Sequence, residues 1–176
     1  MGDTDRLLQE RATRHGGTWV YWRRRSGGNP IHSEFGSAIR GLSERDQNAL
    51  ESRVRMLMEK AEAGQIQPPA EAKEMVSSCG QVAELRIQVG QYRDAPLPFR
   101  LYYAEPEEVD RCLLALSFKR KLTDHRMNQQ QEHVEEATRR LLEGRERLWG
   151  LPKLPGVPAG CPPEQLMDHI PEEEAL

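Results

Sequence analysis

The sequence predicts an α+β domain in which a mostly antiparallel sheet of about four strands packs against two N-terminal helices and a C-terminal helix. Segments rich in β-branched and aromatic residues occur at 18–25 and three more times between residues 82 and 118. Apolar residues at helical spacing occupy the stretch between these segments and the stretch after Asn128. The links between the three later segments are short and turn-rich, which favours an antiparallel meander with the helices on one face.

The chain is long enough for one modest core, with 176 residues of which 37% are hydrophobic and 30% charged. Its formal net charge is −3, so binding to nucleic acid would need a local basic patch. Its three cysteines lack the spacing of a zinc site or disulfide framework, and nothing resembles a magnesium carboxylate cluster, so we expect no metal and no cofactor. Without a membrane-length apolar run or a signal-peptide core, we expect a cytoplasmic protein with no membrane partner.

The first 80 residues are predicted to contain a leading helical segment, one strand, two further helices and a loop. We interpret residues 1–17 as a leading helical segment and 18–25, "TWVYWRRR", as the first strand. Pro30 suits the first turn of a short helix. Ser43 with Asp46 resembles a capping box, and apolar residues at helical spacing follow it as far as Gly64. The stretch 65–80, which contains a proline pair, is interpreted as a loop.

The rest of the chain predicts three strands, a helix and a tail. The strands are "VAELRIQV", "PFRLYYA" and "RCLLALSF". From Asn128 a polar helix follows, whose apolar stripe should lie on the sheet. We interpret its charged residues Glu132, Glu135, Glu136, Arg139 and Arg140 as a solvated, salt-paired face. Residues 151–176 are proline-rich and acidic, which predicts a mobile tail, with folding over a basic face as the alternative.

Side chains on three strands are predicted to share one polar face. The last strand ends in three bases, and alternation sends the first and third of them to one side and Arg120 to the other. Alternation along the two preceding strands adds two arginines and a tyrosine to the same face. The predicted face comprises Arg86, Arg100, Tyr102, Lys119 and Lys121.

A patch of this composition suits a phosphodiester, because Arg binds phosphate oxygens bidentately, Lys supplies charge and Tyr can stack on a base. Metal-free RNA cleavage also needs a base for the 2′-hydroxyl and an acid for the 5′-oxygen. A lysine whose pKa is lowered by like charges is one candidate base. His125, four residues after Lys121, is a candidate acid, base or RNA contact, whereas His133 has no motif around it. The alternative is that the bases protect a sheet edge and His125 lies in a solvated loop.

The ordered combination of motifs resembles the RelE/ParE superfamily of toxins from type II toxin–antitoxin systems, and particularly its phage-associated, HigB-like branch. The motifs are "WVYWRRRSGGNPIHSEF", "AELRI", "PFRLYY", "LLALSFKRKL" and a helix containing "EEATRRLLEG". In that branch an ELR strand is followed by a strand with a central Arg, an apolar strand ending in Phe and a Lys pair, and a helix with an acidic pair before Ala. The resemblance covers about residues 18–150.

The resemblance implies a cytoplasmic α+β toxin that enters the ribosomal A site, cleaves messenger RNA without a cofactor and is neutralised by a cognate antitoxin. Carried over by position, the catalytic and phosphate-binding cations would be Arg86, Arg100, Lys119 and Lys121. Tyr102 would stack or handle a proton. Apart from the resemblance, we predict that Arg120 and His125 contact RNA.

The sequence departs from the family pattern at three points. Arg120 occupies the second position of the family's Lys pair, and the catalytic His or Tyr near the C-terminus has no clear match. The proline-rich acidic tail is not part of the pattern. The alternative function is that of a non-catalytic binding protein on the same scaffold, either a ParE-like inhibitor of DNA gyrase or an inactive interaction module.

Overall fold

A computed structural model of the chain describes residues 16–24, 26–75, 81–92, 95–106, 109, 111–121, 127–145 and 149. The predictions for the tail, and for the leading segment before Gly16, concern residues outside these ranges. The described elements are β1 (Thr18–Tyr21), α1 (Pro30–Ile39), α2 (Glu44–Glu62), β2 (Ala72–Glu74), β3 (Ala83–Tyr92), β4 (Ala95–Ala104), β5 (Cys112–Arg120) and α3 (Met127–Arg145).

The strands form one five-stranded sheet in the order β1-β5-β4-β3-β2. Neighbours from β2 to β5 are antiparallel, whereas β1 pairs parallel with β5. The α+β class is therefore confirmed, but the sheet is mixed and has five strands instead of about four. The extra strand is β2, which lies in the stretch that we interpreted as a loop and pairs Ala72 with Leu85. Three residues are too few to produce a periodic pattern in the sequence.

Both N-terminal helices begin at side-chain caps. The Asn29 side chain accepts hydrogen bonds from the first free N–H groups of α1, whose first residue is Pro30. At the start of α2, Ser43 Oγ accepts a hydrogen bond of 3.1 Å from the backbone N–H of Asp46. These caps confirm both predicted helix starts.

The two helices cover one face of the sheet, which we call the α1/α2 face. Aromatic rings pack across it, with the Phe118 ring centroid 5.0 Å from that of Phe35 and 6.1 Å from that of Phe99. The larger buried residues of this core include Trp19, Tyr21, Ile31, Phe35, Leu50, Leu57, Leu85, Ile87, Leu97, Phe99, Leu101, Tyr103, Leu113 and Phe118. The apolar alternation of β3, which predicted this packing, is confirmed.

The opposite face, which we call the α3 face, is covered by α3, so the expectation that helices lie on one face only is wrong. Every residue of β5 from Cys112 to Phe118 is buried, so the strand presents apolar side chains in both directions and requires a layer on each side. This second core comprises Val20, Trp22, Met75, Val82, Tyr102, Ala104, Val109, Cys112, Leu114, Leu116, Val134, Ala137, Leu141 and Trp149. No helix within the described ranges has the length and apolar character to cross a membrane.

A bulge near the end of β5 alters its pairing with β4. Tyr102 lies opposite Ser117, but Tyr103 lies opposite Ala115, so Leu116 is an extra residue. Ser117 then faces the α3 side together with Lys119, while Phe118 packs in the core of the α1/α2 face.

Candidate functional site

Three of the predicted site residues form a row across the sheet. Arg86 of β3 lies opposite Arg100 of β4, and Arg100 lies opposite Lys119 of β5. Directly paired residues project from the same face with Cβ atoms about 5 Å apart. The register therefore confirms that these three cations share a face, and we call them the cation row.

Lys121 lies beyond the row but remains attached to the sheet and to α3. Its backbone N–H donates a 2.9 Å hydrogen bond to the Pro98 carbonyl. Its Nζ donates to Gln130 Oε1 of α3 over 3.1 Å, and Gln130 Nε2 donates to Glu84 Oε2 over 3.4 Å. Helix α3 thus connects Lys121 to the carboxylate next to the cation row.

Glu84 is the buried counter-ion of both arginines, with none of its surface exposed. Its Oε1 accepts a 3.0 Å hydrogen bond from Arg86 Nε and lies 3.3 Å from Arg100 Nε. The second contact is a charge pair without hydrogen-bond alignment, because Arg100 Nε has no hydrogen-bond acceptor among the described residues. The Nη1 atoms of Arg86 and Arg100 donate to the carbonyls of Pro69 and Phe99. Both guanidinium groups are therefore held in place before any ligand binds.

Tyr102 follows Arg100 by two residues in β4, so it lies on the same face of the sheet as the cation row. It is buried beneath α3. Only 1% of its surface is exposed, so a nucleobase cannot stack on it in this conformation. Its ring makes an edge contact with His133, with centroids 6.2 Å apart at 64°. Burial, with a smaller effect from Glu84, raises the pKa of Tyr102 well above its usual range. Tyr102 is accordingly a neutral phenol at physiological pH.

Lys119 also belongs to a closed group of four charges, which we call the ion ring. Its Nζ lies 3.1 Å from Glu34 Oε1 and 3.0 Å from Glu136 Oε2. Arg140 Nη2 lies 2.5 Å from an oxygen of each of the same carboxylates. The Arg140 guanidinium is buried 5.0 Å from the centroid of the Trp22 ring. Burial opposes the charge of Glu136, but the bonds and charges of Lys119 and Arg140 outweigh it and lower the Glu136 pKa.

Two members of the ion ring also form hydrogen bonds with the backbone of β5. They do so in the part of β5 that extends beyond its pairing with β1. Glu34 Oε2 accepts a 2.9 Å hydrogen bond from the Phe118 N–H. Arg140 Nη1 donates a 2.6 Å hydrogen bond to the Leu116 carbonyl. These side chains, from α1 and α3, take the place of a neighbouring strand after the bulge.

Arg120 is not part of the row. Arg120 pairs with Phe99 and lies beside α1, lining an open hollow of about 400 Å³ with Ser33 and Ser37. His125 lies outside the described residues. The structure thus brings Arg86, Arg100, Tyr102, Lys119 and Lys121 together and places Arg120 on the other side of the sheet.

The sequence reasoning missed the carboxylates and the part that α3 plays. Glu34, Glu84 and Glu136 were not predicted as site residues, and Glu136 and Arg140 were wrongly placed on a solvated face. That interpretation is correct for Arg139, which forms an exposed pair with Glu143. The sequence contained a signal for these residues, because polar side chains recur every three or four residues next to the apolar stripe of α3. They are Gln130, His133, Glu136 and Arg140.

The cation row with its counter-ion Glu84, the ion ring and Lys121 together contain five cations and three carboxylates, which leaves two positive charges in excess. Arg100 and Arg140 are buried, whereas Arg86, Lys119 and Lys121 are partly exposed at the edge of α3, and a positive excess that reaches the surface there suits a polyanion. Among the described residues, no group of three or more His, Cys, Asp or Glu side chains is arranged to hold a metal ion. In comparisons with protein-family models and with curated proteins, nothing matches this chain.

Proposed function

We propose that this chain is a toxin of the RelE/ParE type, in its HigB-like branch, and that it cleaves messenger RNA on the ribosome by a metal-free reaction. The observation that carries the proposal is the cation row. Arg86, Arg100 and Lys119 come from three separate sequence motifs, yet they lie in register on three adjacent strands.

The order of the elements supports the proposal. The motif "AELRI" lies in β3, "PFRLYY" in β4, "LLALSFKR" in β5 and "EEATRRLLEG" in α3. The first motif begins in β1 and runs into α1. Each motif therefore lies on the kind of element that the resemblance implies, in the implied order, and the RelE-like fold remains a proposal on that basis.

In this proposal the partly exposed Arg86 binds the scissile phosphate, and the buried Arg100 beside it adds positive charge. Arg86 and Arg100 are oriented by Glu84, so they lose little conformational freedom when a phosphate binds. Lys119 and Lys121 supply charge to the phosphorane, which carries an additional negative charge in the transition state. Lys119 is held by two carboxylates, an environment that suits a cation stabilising charge.

A second candidate function is a non-catalytic binding protein on the same scaffold, such as a ParE-like inhibitor of gyrase. One observation favours it, because Glu34 and Glu136 already compensate the charge of Lys119. RNA would have to compete with these carboxylates for the ammonium group. In either proposal the protein acts in the cytoplasm and its neutralising partner is a cognate antitoxin.

A cell-free translation reaction with primer extension on the messenger RNA tests the proposal. Wild type should give ribosome-dependent cuts, and Lys119→Ala/Lys121→Ala should reduce cutting by about 100-fold or more, because each removes transition-state charge stabilisation. The matched control is Arg45→Ala/Arg55→Ala, which removes two exposed cations from α2 and should cut like wild type. Intact messenger RNA with unimpaired translation would refute the nuclease, and inhibition of gyrase supercoiling by wild type would favour the second candidate.

A further inference from the structure

The sheet-facing side of α3 places a histidine between two residues that contact the site's charges. Gln130, one turn before His133, bonds to Lys121 and Glu84. Glu136, about one turn after it, pairs with Lys119. His133 therefore faces the area between the cation row and the ion ring.

The imidazole of His133 is fixed against β4 but not fully enclosed. It is half-buried, and its ring contacts the Tyr102 ring edge-on at 6.2 Å between centroids. Tyr102 is two residues after Arg100 in β4 and lies on the same face as this member of the cation row. Arg100 is buried and pairs with the partly exposed Lys119, so a phosphate beside the exposed part of the imidazole would contact Lys119.

Charged groups from three elements act on this imidazole. Burial lowers the pKa of His133 below its ordinary value of 6.5, and the positive charge of Lys119 lowers it further. Glu136 and Glu132 of α3 and Glu34 of α1 act in the opposite direction but are outweighed. At neutral pH the imidazole is therefore uncharged and has a nitrogen lone pair available for a proton.

We propose that His133 is the general base of the cleavage reaction, which takes the proton from the 2′-hydroxyl of the nucleotide whose phosphate lies on the cation row. This inference rests on the proposed function. It is carried by the position of the ring on α3, beside the row and in contact with Tyr102.

The reaction is a transesterification within the RNA strand. The imidazole nitrogen accepts the 2′-hydroxyl proton as the 2′-oxygen forms a bond to phosphorus, and the bond between phosphorus and the 5′-oxygen breaks. The leaving oxygen takes a proton from water, and the imidazolium returns its proton to the resulting hydroxide. The products are a 2′,3′-cyclic phosphate and a 5′-hydroxyl, with no net gain or loss of protons.

Two other groups on the α3 face suit this role less well. Tyr102 is buried and neutral, so it has no anionic oxygen to accept a proton at physiological pH. The Nζ atom of Lys119 is occupied by its contacts to the carboxylates of Glu34 and Glu136, so it is not free to take the proton of the 2′-hydroxyl. Among these three side chains, the imidazole is the group in the form that a base requires.

The test compares His133→Gln with wild type in single-turnover, ribosome-dependent cleavage between pH 5 and 8, and in binding to a short RNA. General-base loss should slow cleavage by about 100-fold or more. RNA affinity should stay within about twofold, because the cation row is intact. The wild-type rate should fall on the acidic side as the imidazole becomes protonated, and this limb should be absent from the variant. His133→Ala should recover cleavage when free imidazole is added.

The matched control is His32→Gln, which changes an exposed histidine of α1 and should leave rate and pH profile unchanged. If wild type cleaves and His133→Gln cleaves equally, with the same acidic limb, the inference is overturned while the proposed function stands. A loss of RNA binding that accounts for the loss of rate would also overturn it, since His133 would then be a binding or packing residue. If wild type does not cleave, the proposed function and the base assignment both fail.

Discussion

The two faces of the sheet are built from different kinds of interaction. On the α1/α2 face, buried apolar and aromatic side chains from β1, β3, β4 and β5 meet two helices. On the α3 face, an apolar cluster around Leu114 and Trp149 gives way to buried charge around Glu84 and Arg140. A buried charge contributes little net stability unless it is fully paired, whereas apolar burial is favourable in itself. The contrast indicates that apolar packing on the α1/α2 face stabilises the sheet, whereas the α3 face of the same sheet positions charged side chains.

Leu57→Ala should produce the largest loss of stability, since it removes a buried side chain from the core of the α1/α2 face. Leu57 of α2 is completely buried, so its truncation should lower the free energy of unfolding by about 3 kcal/mol through lost burial and a cavity. Urea denaturation followed by circular dichroism measures this. Exposed Arg55→Ala on the same helix is the control and should change the free energy by less than about 0.5 kcal/mol. A loss no larger than that caused by Glu84→Gln on the α3 face would contradict the difference between the faces.

Glu84→Gln should lower the stability of the fold by an intermediate amount and should strengthen the binding of RNA. The uncharged amide leaves Arg86 and Arg100 without a buried counter-ion, which should lower the free energy of unfolding by about 2 kcal/mol. The positive excess of the site increases by one charge, so RNA should bind more tightly at low salt. Chemical denaturation and a salt titration of RNA affinity measure both, with exposed Glu51→Gln as the control. Unchanged stability with weaker RNA binding would show that Glu84 acts mainly by orienting the arginines.

Arg139→Ala should have the smallest effect, although it neighbours a member of the ion ring. The pair with Glu143 is exposed on both sides, and such helix pairs contribute about 0.3–0.5 kcal/mol. The thermal midpoint should therefore stay within a few degrees of the wild-type value. A loss above about 1 kcal/mol would mean that the outer surface of α3 has a structural role comparable to its sheet-facing side.

The elements with strong periodicity were predictable from the sequence. In α2, Leu50, Val54 and Leu57 repeat at helical spacing after a cap at Ser43, and all three are buried as that spacing requires. Alternation in β3 and β5 correctly placed Arg86 and Lys119 on one face. These predictions succeed because a side chain's direction depends on its local backbone alone.

Features that depend on distant partners were not predictable in the same way. The parallel pairing of Thr18 with Cys112, the short strand β2 and the second helix layer all depend on tertiary packing. The carboxylate Glu34 lies 85 positions from Lys119, and no local pattern connects the two. Alternation could show which face a cation occupies but not which acid would meet it there.

The ion ring also has a consequence for the order in which the protein assembles. The bond from Arg140 to Glu34 joins residues 106 positions apart, and contacts of such separation form late because the intervening chain must first be organised. Until α3 docks, the Leu116 carbonyl lacks the guanidinium that it bonds in the finished fold, and a strand edge in that condition can pair with another chain. During synthesis, a chain that has not yet reached residue 140 cannot complete the ring around Lys119. Helix α3 therefore both protects the β5 edge and completes the charged site.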